Sequence, residues 1–187
     1  MFVDVGANNG VYSVPLWRHY RKIVAIEPNP SLLLHLRERF GWRSIFCKLL
    51  AVESAVAERD GDGFLYDGQG VTCDTIVQLG TFRPPSAPNT DIVIDHRGHV
   101  KKQKVRYRTL DTLIKLYNLV SVDFLKIDVE MAEFRVLDGA DKTLDITKRA
   151  VIELHDRERK NELEEIVRNR FDEARWLDTD HIYGEKT

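Results

Sequence analysis

Of its 187 residues only two are cysteines, and neither Cys47 nor Cys73 has a partner at metal-ligand spacing. Free, reduced thiols in a cytoplasmic protein are therefore the expectation. No apolar run approaches the roughly 20 residues that a membrane span needs. There is no signal-peptide pattern, because Met1 leads straight into a strand-like segment. Charge of one sign is also lacking: the formal net charge is -2. Nothing in it recruits nucleic acid or an anionic membrane, and no basic stripe carries interleaved aromatics. Internal repeats and an interdomain linker are missing as well, which points to one domain over residues 1–187.

What is present is alternation. Short β-branched runs (Phe2 to Val5, Lys22 to Ile26, Ser44 to Val52, Phe124 to Asp128, Ala150 to Leu154) are separated by helical stretches. The helices are expected at Val11 to Tyr20, after Ser31 as N-cap, within "VRYRTLDTLIKLYNL" after a strand tail, at Ala132 to Leu144 and at Lys160 to Phe171. Two weaker strands are expected at Ala174 to Leu177 and His181 to Tyr183. This pattern predicts a Rossmann-like, doubly wound α/β fold with a mostly parallel sheet. Residues of about 60 to 105 break it with Gly, Pro, Thr and Asp, predicting inserted hairpins and a long loop. The stretch Gly68 to Val100 is expected to act as a lid.

In such a sheet the ligand sits outside the carboxyl ends of the strands. The first strand-to-helix turn reads Gly6-Ala7-Asn8-Asn9-Gly10. A phosphate-binding P-loop would need Gly-Lys-Ser/Thr, which is absent. The dinucleotide pattern would need a glycine where Asn8 stands. A nucleoside ligand without phosphates remains, of which S-adenosylmethionine is one. Glu27 ends the second strand, where a carboxylate accepts ribose hydroxyls.

The segments "FVDVGANNGVYS", "IVAIEPNP", "VRYRTLDTLI", "FLKIDVEMAEFRVLDGA" and "AVIELHD" occur in an order that resembles the FkbM-type methyltransferases. That resemblance implies the class I methyltransferase fold, S-adenosylmethionine as cofactor and O-methylation of a hydroxyl on a sugar or small natural product. Applied to this chain, it assigns Asp4, Gly6, Ala7, Asn8 and Gly10 to the methionine tail. Glu27 falls to the ribose, Pro28 to the cofactor site beside it, Ala51 and Val52 to the adenine, and Asp128 to the methionine moiety or the reacting methyl. The chain departs from the family at Met131, where the pattern Glu-Gly-Ala-Glu has glycine. It also lacks the helix or domain that commonly precedes the first strand, which leaves a minimal form and a shortened chain as alternatives.

Methyl transfer also needs a proton acceptor, and Asp128, Glu130 and His155 all stand at strand ends. An ordinary imidazole is near-neutral in pKa, which makes His155 a candidate base. The competing reading has His155 capping a loop, with Glu130 or Glu153 paired to Lys126 or an arginine. His96 and His99 in "DHRGH" lack a third ligand nearby, so no metal site is expected. An acceptor that is a small molecule or saccharide, not nucleic acid or membrane, completes this reading. A nicotinamide-linked oxidoreductase, disfavoured by Asn8, and a non-catalytic binding module are the alternatives.

Overall fold

The strands form where β-branched and other apolar residues run uninterrupted, because a sheet covered on both faces has no polar side. Strand β1, Phe2–Val5, is buried at all four positions, and β2, Lys22–Ile26, is buried after its first residue. Each fully buried aliphatic side chain in these runs contributes about 1.5–3 kcal/mol. The computed structural model describes residues 1–67, 74–77 and 101–187. Apart from strand Asp74–Val77, the expected lid from Gly68 to Val100, with His96 and His99, lies outside the described residues.

The chain continues through α1 (Pro30–Phe40), β3 (Lys48–Val52), β4 (Ala55–Val56), β5 (Gly61–Asp67), β6 (Asp74–Val77) and β7 (Lys101–Arg108). Then come α2 (Leu110–Leu116), β8 (Phe124–Ile127), α3 (Glu133–Asp138), α4 (Asp141–Asp145) and β9 (Arg149–Glu153). Helix α5 (Lys160–Arg170) and the hairpin β10 (Glu173–Trp176) and β11 (His181–Glu185) close it. The main sheet has the order β10-β11-β9-β8-β1-β2-β3. Pairing is parallel from β9 to β3, and β11 runs antiparallel to both its neighbours. This is the doubly wound, mostly parallel sheet expected. The chain leaves β1 for β2 and β3 and returns on its other side at β8, so the switch point lies between β1 and β8.

The interrupted middle of the sequence builds a second sheet, β4-β7-β5-β6. Its short strand β4 follows β3 directly and pairs with β7 in parallel, Ala55 opposite Tyr107.

Three local expectations need correction. Val11 to Tyr20 is not an α-helix: the chain runs in turns into a 3-10 segment at Pro15–Arg18. Its Ser13 hydroxyl is buried and donates to Asp4 Oδ2 at 2.6 Å, which ties this segment to the sheet. The helix expected from Ala132 to Leu144 splits at Gly139-Ala140 into α3 and α4. A Cβ on Gly139 would lie 2.5 Å from the Ala57 carbonyl oxygen, so packing against that loop sets the break. The N-cap of α1 is Asn29, not Ser31; its side chain accepts the Ser31 and Leu32 amides. Pro30 then takes the first helical position, where a missing N–H costs nothing.

Candidate active site

Both neighbours of β1 are parallel, so three carboxyl ends meet at the switch point. Register places Asp4 opposite Lys126 and opposite Ala25. Asp4 is fully buried, and the Lys126 ammonium stands 3.4 Å from its Oδ1 and 3.0 Å from Asp128 Oδ2. Lys126 also donates to the Gly6 carbonyl at 3.5 Å and lies 4.7 Å from the Tyr12 ring centre. Burial lifts the Asp4 carboxyl above its ordinary range, against the pull of Lys126 and Ser13. Burial also works against the Lys126 ammonium, but Asp4 and Asp128 outweigh it and raise its pKa. Lys126 is thus a buried cation clamped between two acids.

Gly6 has φ +76°, and a Cβ there would lie 1.7 Å from the Asp128 carbonyl oxygen. Its glycine is required by the neighbouring strand. Gly10, φ +83°, likewise faces Val14 and Leu36. The turn between them consumes its own donors. The Gly6 and Ala7 amides both donate to the Ile26 carbonyl, Asn8 donates to Glu27 Oε2 at 2.9 Å, and Asn9 donates to Asn8 Oδ1. Gly10 donates to the Ala7 carbonyl. The other Glu27 oxygen accepts the Asn29 amide at 2.8 Å. Two backbone donors therefore help to fix the Glu27 carboxylate.

Above these groups lies a cavity of about 240 Å³. It is lined by Gly6, Ala7, Asn8, Glu27, Pro28, Asp128 and Glu130 of the predicted residues, together with Tyr12, Lys126 and the segment Ser54 to Val56. Ala51 and Val52 do not line it: the chain runs on beyond β3, and Ser54, Ala55 and Val56 form the wall instead. Asp4 and Gly10 do not line it either. Met131 does not line it either; it is exposed, at φ +74°, directly after Glu130 at φ +49°. Two successive non-glycine residues in the left-handed region are costly, at roughly 1–2 kcal/mol each. A second cavity, about 420 Å³, shares Tyr12 and Lys126 with the first and has mostly apolar walls, among them Phe124, Val151 and Leu177.

His155 lies outside the lining, among carboxylates. Its Nδ1 is 2.7 Å from Glu133 Oε1, and its Nε2 is 3.2 Å from Glu130 Oε2 and 3.6 Å from Glu153 Oε1. The Glu133 hydrogen bond and the charges around it outweigh burial and lift its pKa from 6.5 to about 9. The ring is thus held between Glu133 on Nδ1 and Glu130 and Glu153 on Nε2, an arrangement that favours its protonated form. Glu153, next to β11, is lifted by burial and then by Asp128. Lys126 pairs with Asp4 and Asp128, not with Glu130 or Glu153.

Sequence reasoning missed Lys126, Glu133 and Tyr12 as site residues. The signal for Lys126 was there: a lysine between apolar residues of a buried strand demands an acidic partner. Glu133, fully buried in the first turn of α3, gave the same signal only once its burial was known.

A family model described as "Methyltransferase FkbM domain" matches residues 4–179. The AMB antimetabolite synthetase AmbE of Pseudomonas aeruginosa is 26% identical over 180 residues, covering 83% of this chain and 8% of that protein. The chain thus spans about 8% of the length of this curated relative. A crystal structure of PH1948 from Pyrococcus horikoshii, provisionally described as an RNA methyltransferase, covers 99% of this chain and 72% of its own at 10% identity and a TM-score of 0.46. With the family match running from the first strand almost to the last, the chain belongs to the FkbM methyltransferase-domain family.

Proposed function

We propose that this domain binds S-adenosylmethionine and methylates a hydroxyl of a sugar or small natural product. One observation carries the cofactor half. From Gly6 to Gly10 every backbone amide already has an acceptor within the protein, while the lining presents the carboxylates of Glu27, Asp128 and Glu130. A dinucleotide pyrophosphate needs donors at this turn. Carboxylates instead take hydroxyls and an ammonium, the polar groups of an unphosphorylated nucleoside with an amino-acid tail. The one lysine of the lining is already held by Asp4 and Asp128. The donor set therefore fits the cofactor that the family implies.

When bound, this cofactor supplies an electrophilic methyl: the acceptor oxygen's lone pair forms the O–C bond as the C–S pair returns to sulfur. The protein has the remaining tasks of binding, alignment and proton removal. Glu27, in the cavity lining at the end of β2, would accept the ribose hydroxyls. Ser54 to Val56 wall the adenine side. Alignment by such a fixed pocket is worth about 7–11 kcal/mol. The acceptor's proton passes to a carboxylate of Asp128 or Glu130, the two acids in the lining at the switch point. Lys126 orients the first and His155 the second. The second cavity, adjoining at Tyr12 and Lys126, is where we place the acceptor, its apolar walls taking a ring or chain. The name of the relative AmbE, an antimetabolite synthetase, agrees with a small natural product.

Calorimetry with S-adenosylmethionine, S-adenosylhomocysteine and NAD tests the reading. Binding of the first two without NAD is expected; binding of NAD alone would turn the assignment to a dehydrogenase. On a true acceptor, Asp128→Asn or Glu130→Gln should lower turnover by about 10²-fold or more with cofactor affinity nearly intact. Wild-type rates in both would move the base elsewhere.

A further inference from the structure

Asp128, Glu153 and His155 each direct a ligand atom into one space, all within 4.8 Å of one another. The donor atoms of one ion bound at about 2.1 Å lie roughly 3–4.2 Å apart, so small side-chain adjustments suffice. From these atoms we infer that the ends of β8 and β9 hold a divalent cation, coordinated by Asp128, Glu153 and His155 Nε2.

Behind the imidazole stands a second, independent feature. Glu133 is wholly buried; its Oε1 accepts the Met131 amide and faces His155 Nδ1, while its Oε2 has no hydrogen-bond partner among the described residues. A buried carboxylate on Nδ1 fixes the tautomer whose Nε2 lone pair faces outward. Metal-binding histidines are oriented by this same arrangement. Nε2 then meets oxygens of both Glu130 and Glu153, and one proton can bridge only one of them. An ion in place of that proton would take Nε2 and the Glu153 oxygen together, with Asp128 as the third ligand. Lys126 takes Asp128 Oδ2, which leaves the other oxygen of that carboxylate to ligate. Two carboxylates and one imidazole suit Mn²⁺ or Mg²⁺ with water in the open positions. Beside the acceptor cavity, such an ion holds and polarises an acceptor oxygen. That role rests on the methyl-transfer reading; the ion site itself does not.

The test titrates the chelator-treated full chain with MnCl₂, without S-adenosylmethionine, and reads bound ion from loss of the free Mn²⁺ paramagnetic resonance signal. One ion per chain is expected, bound about ten-fold or more weakly in Glu153→Gln and His155→Gln. Selective broadening of the His155 imidazole resonance by a trace of Mn²⁺ in the wild type reports the same site without any variant. Absence of stoichiometric binding, or binding that leaves His155 unbroadened, overturns the inference. A chain that binds Mn²⁺ but not S-adenosylmethionine would sink the methyl-transfer reading alone, and the reverse would sink the ion site alone.

Discussion

Replacing Gly6 with alanine isolates the contact that closes the switch point. The new Cβ would stand 1.7 Å from the Asp128 carbonyl oxygen and 2.9 Å from its carbon, both backbone atoms with no rotamer to escape through. Strands β1 and β8 would have to part by about 1.5 Å to restore an ordinary C···O distance. Overpacking of this kind costs roughly 1–3 kcal/mol. An alanine at φ +76° adds about 1–2 kcal/mol. Loss of the adjacent ladder bond, Asp128 amide to Val5 carbonyl at 3.1 Å, adds roughly 0.5–1.5 kcal/mol. The sum is about 2.5–6.5 kcal/mol, or a fall in Tm of roughly 5–26 °C for a domain of this size. Gly41→Ala is the control, since Gly41 has φ +45° and nothing within 4 Å of its missing Cβ. It should bear the dihedral cost alone, a fall of about 2–8 °C. Thermal unfolding by circular dichroism measures both. Equal midpoints for the two variants would refute the argument that strand contact, not turn geometry, demands glycine at position 6.

Glu27→Ala should weaken S-adenosylmethionine binding by about 1.5–3 kcal/mol in calorimetry, the range for hydrogen bonds to a charged group; unchanged affinity in a folded variant would remove Glu27 from the site. Met131→Gly should relieve left-handed strain and, after the entropy that glycine costs, leave the protein up to about 1 kcal/mol more stable; a clear loss in a urea midpoint would show that the exposed methionine packs on something. Lys126→Met leaves Asp4 buried without its cation and should cost about 3–5 kcal/mol, most of it regained on adding Asp4→Asn. A double variant no more stable than the single one would dissolve that pair. The His155 pKa is higher in the folded protein, about 9 against 6.5, so its contribution is complete below 6.5 and fades as pH rises towards 9. With chelator present, wild type should lose about 1–2 kcal/mol relative to His155→Gln between about pH 6 and about pH 9.5, roughly half the unscreened value because the imidazole is partly exposed. A flat difference in denaturation midpoints would show that Glu133 and Glu130 do not hold a charged ring.

The parts of the fold that the sequence made legible are those decided by local pattern. Phe2 to Val5 and Phe124 to Ile127 are apolar runs too short for helices, and Glu27 stands where a strand must end. The first helix was misread because the periodicity of Val11 to Tyr20 ignores Ser13, whose buried bond to Asp4 spans nine residues. Gly139 reads as a tolerated helix glycine until the Ala57 carbonyl is set against it. The acid–lysine clamp needs the register of two strands 122 residues apart, which no window along the chain contains. The surroundings of His155 were hidden for a similar reason: its three carboxylates come from the β8–α3 turn, α3 and β9.

Ser54 to Val56 give the cavity a wall that belongs to neither sheet alone. Val52 ends the main sheet, and three residues later Ala55 is paired to Tyr107 in the second. That wall is therefore a hinge plate screwed to two doors. An attempt to change acceptor preference by grafting the region between β4 and β7 from a relative would exchange one of those doors. Cofactor affinity would shift along with specificity unless the Ala55–Tyr107 pairing and the contact of Gly61 with the Tyr107 ring were carried across in the same graft.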